Sequence, residues 1–125
     1  MQNKGEIYFD IHSEDSGGTL LRMQAPNGEV YFVYDYSEYD ADRDDVKVFQ
    51  KKFPDFLSFW KHIKSVNKDW YYLHPLFVHP EQREFIAGEL RGVNWQSQEG
   101  IKWQESHQRQ WKKVLNDPPN YYRPG

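Results

Sequence analysis

The chain has 125 residues, a formal net charge of −3 and no cysteine. This length suits one domain and is too short for two ordinary ones. Without cysteine there is no disulfide, thiolate metal site or cysteine nucleophile. The mildly acidic charge balance argues against a general nucleic-acid binder, which depends on neutralising phosphates. No apolar run approaches the ~20 residues of a membrane-spanning helix.

Aromatic residues are unusually frequent, at 18% of the chain against a hydrophobic fraction of 38%. Because each aromatic side chain buries a large area when it packs, these residues are expected to supply much of the core. The first ten residues lack the basic patch and apolar stretch of a signal peptide. A cytoplasmic protein is therefore expected.

Alternating apolar and polar residues predict β-strands in the first half of the chain. The predicted strands cover residues 5–12, 19–24 and 29–36, and the last is rich in β-branched and aromatic residues. Pro26, Asn27 and Gly28 have the composition of a type I turn with a trailing glycine. Residues 46–53 form either a fourth strand or the approach to a helix, and a strand is slightly favoured.

The second half of the chain changes to a helical period of three- and four-residue steps. The predicted helices cover residues 54–66, 80–93 and 99–115, the last with Trp103, His107, Trp111 and Leu115 on one stripe. Pro54 and Pro80 suit the first position of a helix. These elements predict a single α+β domain over residues 1–117, with a flexible C-terminal tail over 118–125. The domain is expected to be a small antiparallel sheet of three or four N-terminal strands packed by about three C-terminal helices.

The segment "YDYSEYDADRDD", residues 34–45, concentrates the negative charge of the chain. Its six carboxylates and one arginine sum to −6 + 1 = −5, so the rest of the chain sums to +2. A metal loop, a solvated linker and a docking surface are the three interpretations. The first acids resemble an EF-hand loop, but Asp45 stands where the glycine belongs and Lys51 where the bidentate glutamate belongs.

Tyrosines among carboxylates are typical of a surface that recognises a basic protein. Tyrosine gives rigid contact area with a polar tip, and clustered carboxylates steer a cationic partner. The predicted contact residues are Tyr36, Glu38, Tyr39, Asp40, Asp42, Asp44 and Asp45. A solvated loop that keeps the domain soluble is the competing interpretation.

A second hypothesis is a metal-binding protein or a small metal-dependent hydrolase. It uses His74, His79 and Glu81, with Asp35 or His62 brought in by the fold. The two histidines are five residues apart and each precedes a proline, so they do not share a helix face. Half-buried rings, with His79 near the start of the second helix, are the simpler interpretation.

A third hypothesis is a single-stranded nucleic-acid binder that stacks bases on Trp70, Tyr71, Tyr72 and Trp95. It is the least favoured, because the nearest lysines have the spacing of a solvated helix face, and no nucleic-acid partner is expected. No serine lies in a nucleophile-elbow pattern. No catalytic residue or cofactor is therefore assigned. Whether the protein is an enzyme is left open, and a non-enzymatic role is favoured. A homodimer is also left open.

The acidic segment is followed by the helical stretch "FPDFLSFWKHI" at residues 53–63. Together they give the chain a general resemblance to one type of protein, without a shared diagnostic motif. The type is the small, cysteine-free, acidic and aromatic-rich α+β immunity proteins of bacterial toxin systems. The resemblance implies a non-enzymatic inhibitor that binds its cognate toxin tightly and occludes the active site or another essential surface. A basic toxin would suit the acidic segment.

Overall fold

The computed structural model describes residues 5–12, 16–93, 95 and 101–116. These residues form five strands, three α-helices and a short 3₁₀ helix at Trp70–Tyr72. The strands are β1 (Gly5–His12), β2 (Ser16–Gln24), β3 (Val30–Asp40), β4 (Asp45–Phe53) and β5 (His74–Val78). The helices are α1 (Phe56–Val66), α2 (Pro80–Arg91) and α3 (Ile101–Asn116).

The strands form one antiparallel sheet in the order β4-β3-β2-β1-β5. Consecutive hairpins build the first four strands, and the turn between β2 and β3 has Gly28 at a φ of 89°. Glycine occupies this left-handed conformation without a steric cost. The hydrogen bond from Gly28 N to Ala25 O, at 2.8 Å, closes the predicted turn.

The three helices pack on one face of the sheet. Helix α1 begins one residue after Asp55, whose carboxylate accepts the backbone N–H of Ser58 at 2.7 Å. The expectation that Pro54 opens this helix is therefore wrong, since the extended Asp55 is its N-cap. Helix α2 begins at Pro80 as predicted, with His79 as its N-cap.

The core lies between this inner face of the sheet and the helices. Its largest fully buried side chains include Trp60 and Phe59 of α1, Phe9 of β1 and Trp111 of α3. Phe9 contacts the rings of Phe59, Trp60 and Trp111 at centroid distances of 5.9, 5.8 and 6.2 Å. The predicted aromatic core is confirmed.

The predicted α+β class is confirmed, but the sheet has five strands and not three or four. Strand β4 is the fourth strand that the sequence slightly favoured. Strand β5 was missed because it is short and contains Pro75, and pairing with β1 holds it in place. The predicted tail and the side chain of Trp103 lie outside the described residues. Among the described residues, no helix is long and apolar enough to cross a membrane.

Candidate functional site: an acidic hairpin tip

Most of the acidic segment lies within a strand and not in a loop. Residues 34–40 form the second half of β3, and only residues 41–44 form the turn that leads into β4. We call residues 38–45, at the free end of this hairpin, the acidic hairpin tip. The hairpin register continues to the turn, with Glu38 opposite Lys47, Tyr39 opposite Val46 and Asp40 opposite Asp45.

Local hydrogen bonds shape the acidic hairpin tip. The carboxylate of Asp40 accepts the backbone N–H of Asp42 at 3.0 Å, and the Tyr39 hydroxyl donates to Asp44. Asp44 has a φ of 48°, a left-handed conformation that aspartate tolerates better than most residues do. These hydrogen bonds fix the conformation of the short turn.

The acidic hairpin tip carries a net charge of −4. It contains five carboxylates (Glu38, Asp40, Asp42, Asp44 and Asp45) and one arginine (Arg43), which gives −5 + 1. Lys47 Nζ lies 3.3 Å from Asp40 Oδ2 and offsets part of this charge. Asp42, Asp44 and Asp45 are exposed, and the side chain of Tyr39 is 45% exposed. Glu38 is exposed as well, so five of the seven predicted contact residues are exposed.

Tyr36 is placed differently from the acidic hairpin tip. It lies on the inner face of β3, half-buried, and stacks between Tyr34 and Phe49 at centroid distances of 5.0 and 5.1 Å. Tyr36 lies four residues before Asp40 in β3, so their Cα atoms are about 13 Å apart along the strand. With Glu38 and His62, Tyr36 lines a cavity of about 190 Å³. Burial, followed by the nearby charge of Lys51, lowers the pKa of His62.

The histidines of the metal hypothesis are held apart. His74 opens β5 opposite His12 of β1, whereas His79 follows the other end of β5, which is about 17 Å of strand away. Burial lowers the pKa of His74, and the nearby histidines His107 and His12 add to the effect. Among the residues that the structure describes, no group of three or more His, Cys, Asp or Glu side chains is arranged to hold a metal ion.

His79 and Glu81 instead stabilise the start of α2. His79 Nδ1 accepts the backbone N–H of Glu81 at 3.1 Å, and its Nε2 lies 3.0 Å from Glu6 Oε2. The imidazole stacks on Tyr8 at a centroid distance of 3.9 Å and an interplanar angle of 9°. The Tyr8 hydroxyl donates to the Glu81 carboxylate, and burial raises the pKa of Tyr8 well above its usual range. These contacts are those of a helix cap and not of a metal ligand set.

The aromatic residues of the nucleic-acid hypothesis contact each other and the core. Trp70 is buried and meets Trp60 edge-on at a centroid distance of 4.9 Å. Tyr71 and Tyr72 make edge contacts with the half-buried Trp95 at 5.1 and 5.9 Å. Ring faces that stack bases are exposed, and Trp70 does not provide one.

The sequence did not predict a row of polar side chains on the outer face of the sheet, which faces away from the helices. Asp10 is only 7% exposed and accepts a hydrogen bond from Thr19 Oγ1 at 2.9 Å. Asp35 pairs with Thr19 and therefore lies on the outer face as well. His62 lines the cavity beside Tyr36 on the inner face, so Asp35 and His62 lie on opposite faces of the sheet. The alternating pattern of β1 puts Asp10 on the face opposite Phe9 and Ile11, but only the assembled sheet shows that it is buried.

Comparisons of this chain with protein-family models, with curated proteins and with solved structures found no match.

Proposed function

We propose that the protein is a non-enzymatic, protein-binding domain that docks a basic protein partner through the acidic hairpin tip. The observation that carries the proposal is the concentration of exposed carboxylates in the eight residues around a short, internally hydrogen-bonded turn. In this proposal the domain is a cytoplasmic inhibitor of the immunity type, and its partner is a basic toxin whose active site or essential surface it occludes.

Charge supports a role for the tip in steering. Exposed charges act over a Debye length of roughly 10 Å at moderate ionic strength, and clustered charges of one sign raise the rate of encounter with an oppositely charged partner. The −4 charge of the tip exceeds the −3 charge of the whole chain. A basic partner would therefore be attracted to this end of the hairpin.

Tyr39 supplies the contact area that carboxylates lack. Its ring is on the opposite face of β3 from Tyr36, and its hydroxyl is held by Asp44. An exposed but oriented tyrosine loses little side-chain entropy on binding, and tyrosines are frequent among the residues that dominate binding energy. In the proposed complex Tyr39 is the anchor, the carboxylates pair with lysine or arginine, and Glu38 and Tyr36 extend the contact toward the inner face.

The proposal is tested by capturing the partner from source cells with the native domain at low and high salt. The test variant carries Asp40→Asn, Asp42→Asn and Asp44→Asn. Asparagine has the shape of aspartate without its charge, and its amide oxygen can still accept a hydrogen bond. The control variant carries Glu29→Gln, Glu84→Gln and Glu105→Gln, three exposed positions away from the tip. Both variants change the net charge by +3.

We expect the wild type and the control variant to capture one basic protein at low salt and to release it at high salt. The test variant is expected to lose it. Equal capture by all three proteins would overturn the proposal, as would a captured protein that is acidic.

A further inference from the structure

The two edges of the sheet are different. At the β5 edge, Pro75 has no N–H to offer and its carbonyl accepts Gln110 Nε2 from α3 at 2.6 Å. Helix α3 packs against β5, so this edge is covered. Strand β4 forms the other edge, and its residues from Asp45 to Lys52 are all exposed.

Strand β4 also exposes apolar side chains between its charged residues Asp45, Lys47, Lys51 and Lys52. Val48 is 73% exposed and Val46 is 53% exposed, both on the outer face of the sheet. An open, nine-residue edge with exposed apolar side chains is a template for the addition of another strand.

The charges of β4 identify the strand that fits. The strand begins at the acidic Asp45, directly after Asp44 of the turn, and two basic residues, Lys51 and Lys52, lie near its end. A strand with opposite charges at its two ends is complementary to an antiparallel copy of itself. Within one chain Asp45 faces another carboxylate, Asp40, so a cation on its free side would relieve a like-charge pair.

Two-fold symmetry restricts the register. In an antiparallel pair related by a two-fold axis, each residue faces one on the same side of the sheet, so the pair is centred on a residue. Centring on Val48 places Val48 opposite its own copy and Asp45 opposite Lys51. Moving the centre to residue 49 places Lys47 opposite Lys51, and moving it to residue 47 places Lys47 opposite its own copy. Among the registers that pair at least seven residues of β4, only the one centred on Val48 places Asp45 opposite a lysine.

We propose that the chain forms a homodimer in which β4 pairs antiparallel with β4 of a second copy, centred on Val48. The two five-stranded sheets then join into one continuous sheet with all helices on the same side. This proposal rests on the open edge and its charge order and not on the docking function, although it also uses Asp45 of the acidic hairpin tip.

The test is a charge swap followed by sedimentation velocity over a wide range of protein concentrations. Lys51→Asp alone and Asp45→Lys alone each turn two attractive contacts per dimer into two repulsive ones. We expect each to weaken dimerisation by about tenfold or more. The double variant, Asp45→Lys with Lys51→Asp, restores opposite charges and is expected to return the dissociation constant to within a few-fold of the wild type.

Lys61→Asp is the control, since Lys61 is exposed on α1 and the change in net charge equals that of Lys51→Asp. It is expected to leave the dimer intact. Circular dichroism checks that each variant folds, and amide hydrogen exchange in β4 is expected to slow as the wild-type concentration rises. A wild type that stays monomeric at every concentration would overturn the proposal. So would single variants that dimerise normally, or a double variant that does not regain the dimer.

Discussion

The phenol ring of Tyr34 in β3 lies directly over Gly18 in β2, so closely that a Cβ at position 18 would overlap the ring. The ring cannot move aside easily, because Tyr34 is buried and packs against Phe59 and Tyr36 at centroid distances of 5.1 and 5.0 Å. The glycine thus fixes the ring stack that continues through Tyr36 to Phe49, below the acidic hairpin tip.

Gly18→Ala is expected to lower the free energy of unfolding by about 1–3 kcal/mol, the usual cost of overpacking a core. Gly17→Ala is the matched control, because its Cβ would meet its nearest neighbour, His12 Nδ1, at 3.4 Å. The control is expected to change stability by less than about 0.5 kcal/mol. Urea denaturation of both variants checks the difference, and equal losses would contradict the contact.

Burial raises the pKa of Tyr34 from 10.0 to about 12. The folded state therefore holds the phenolic proton more tightly than the unfolded chain does. The stability that this proton contributes is complete below about pH 10 and is lost as the pH rises toward 12. We expect Tyr34→Phe to flatten the loss of stability over this range in denaturant titrations. An unchanged pH profile would show that Tyr34 ionises equally in both states.

Glu89 of α2 connects α1 and α2 through one carboxylate oxygen. Its Oε1 accepts Lys64 Nζ and Trp60 Nε1, both at 2.7 Å, and these two hydrogen bonds lower its pKa. A carboxylate whose pKa is lowered on folding stabilises the folded state at pH values above its pKa in the unfolded chain. This stabilisation is lost as the pH falls through the pKa of the folded state. Glu89→Gln should therefore lose less stability than the wild type on acidification. The check is urea denaturation across the acidic range, and parallel profiles would contradict the expectation.

At neutral pH, two substitutions of Glu89 separate the contribution of its hydrogen-bond acceptor from that of its negative charge. Glu89→Ala leaves the buried Trp60 N–H without its acceptor and should cost about 1–3 kcal/mol, whereas Glu89→Gln keeps an acceptor oxygen and should cost less. If the two variants were equally stable in thermal unfolding, the hydrogen bond to Trp60 would not contribute.

His79 caps α2 with a ring nitrogen, a role that asparagine can fill with its amide oxygen. His79→Ala removes both the cap and the stacking on Tyr8, and we expect a loss of about 1–2 kcal/mol. His79→Asn should restore the cap and recover part of the loss. The comparison is made by urea denaturation with and without Zn²⁺. Stabilisation of the wild type alone by zinc would instead support the metal hypothesis.

The strands and helices that could be predicted are those whose hydrophobic pattern lies within the element itself. Alternation in β1 and helical spacing in α1 gave the correct element types, and Pro80 marked the start of α2. Strand β5 was not predictable in this way, because a five-residue segment containing Pro75 becomes a strand only by pairing with β1. The covered β5 edge and the open β4 edge likewise follow from strand order.

The candidate site was predictable in composition but not in geometry. The carboxylates and tyrosines were evident in the sequence, whereas the extension of β3 to Asp40 was not. That extension places Tyr36 and Tyr39 on opposite faces of the sheet, because successive side chains in a strand alternate. The left-handed conformation of Asp44 also has no distinct sequence signal, since aspartate occurs in both helical and extended backbone.

Steering of a basic partner by the acidic hairpin tip is measured by the salt dependence of the association rate constant with the captured partner. The wild type is compared with the variant carrying Asp40→Asn, Asp42→Asn and Asp44→Asn. We expect the wild-type rate to fall about tenfold or more from low to high salt, and the variant to associate more slowly at low salt with a shallower dependence. Identical rates and identical salt dependence for the two proteins would contradict docking through the acidic hairpin tip.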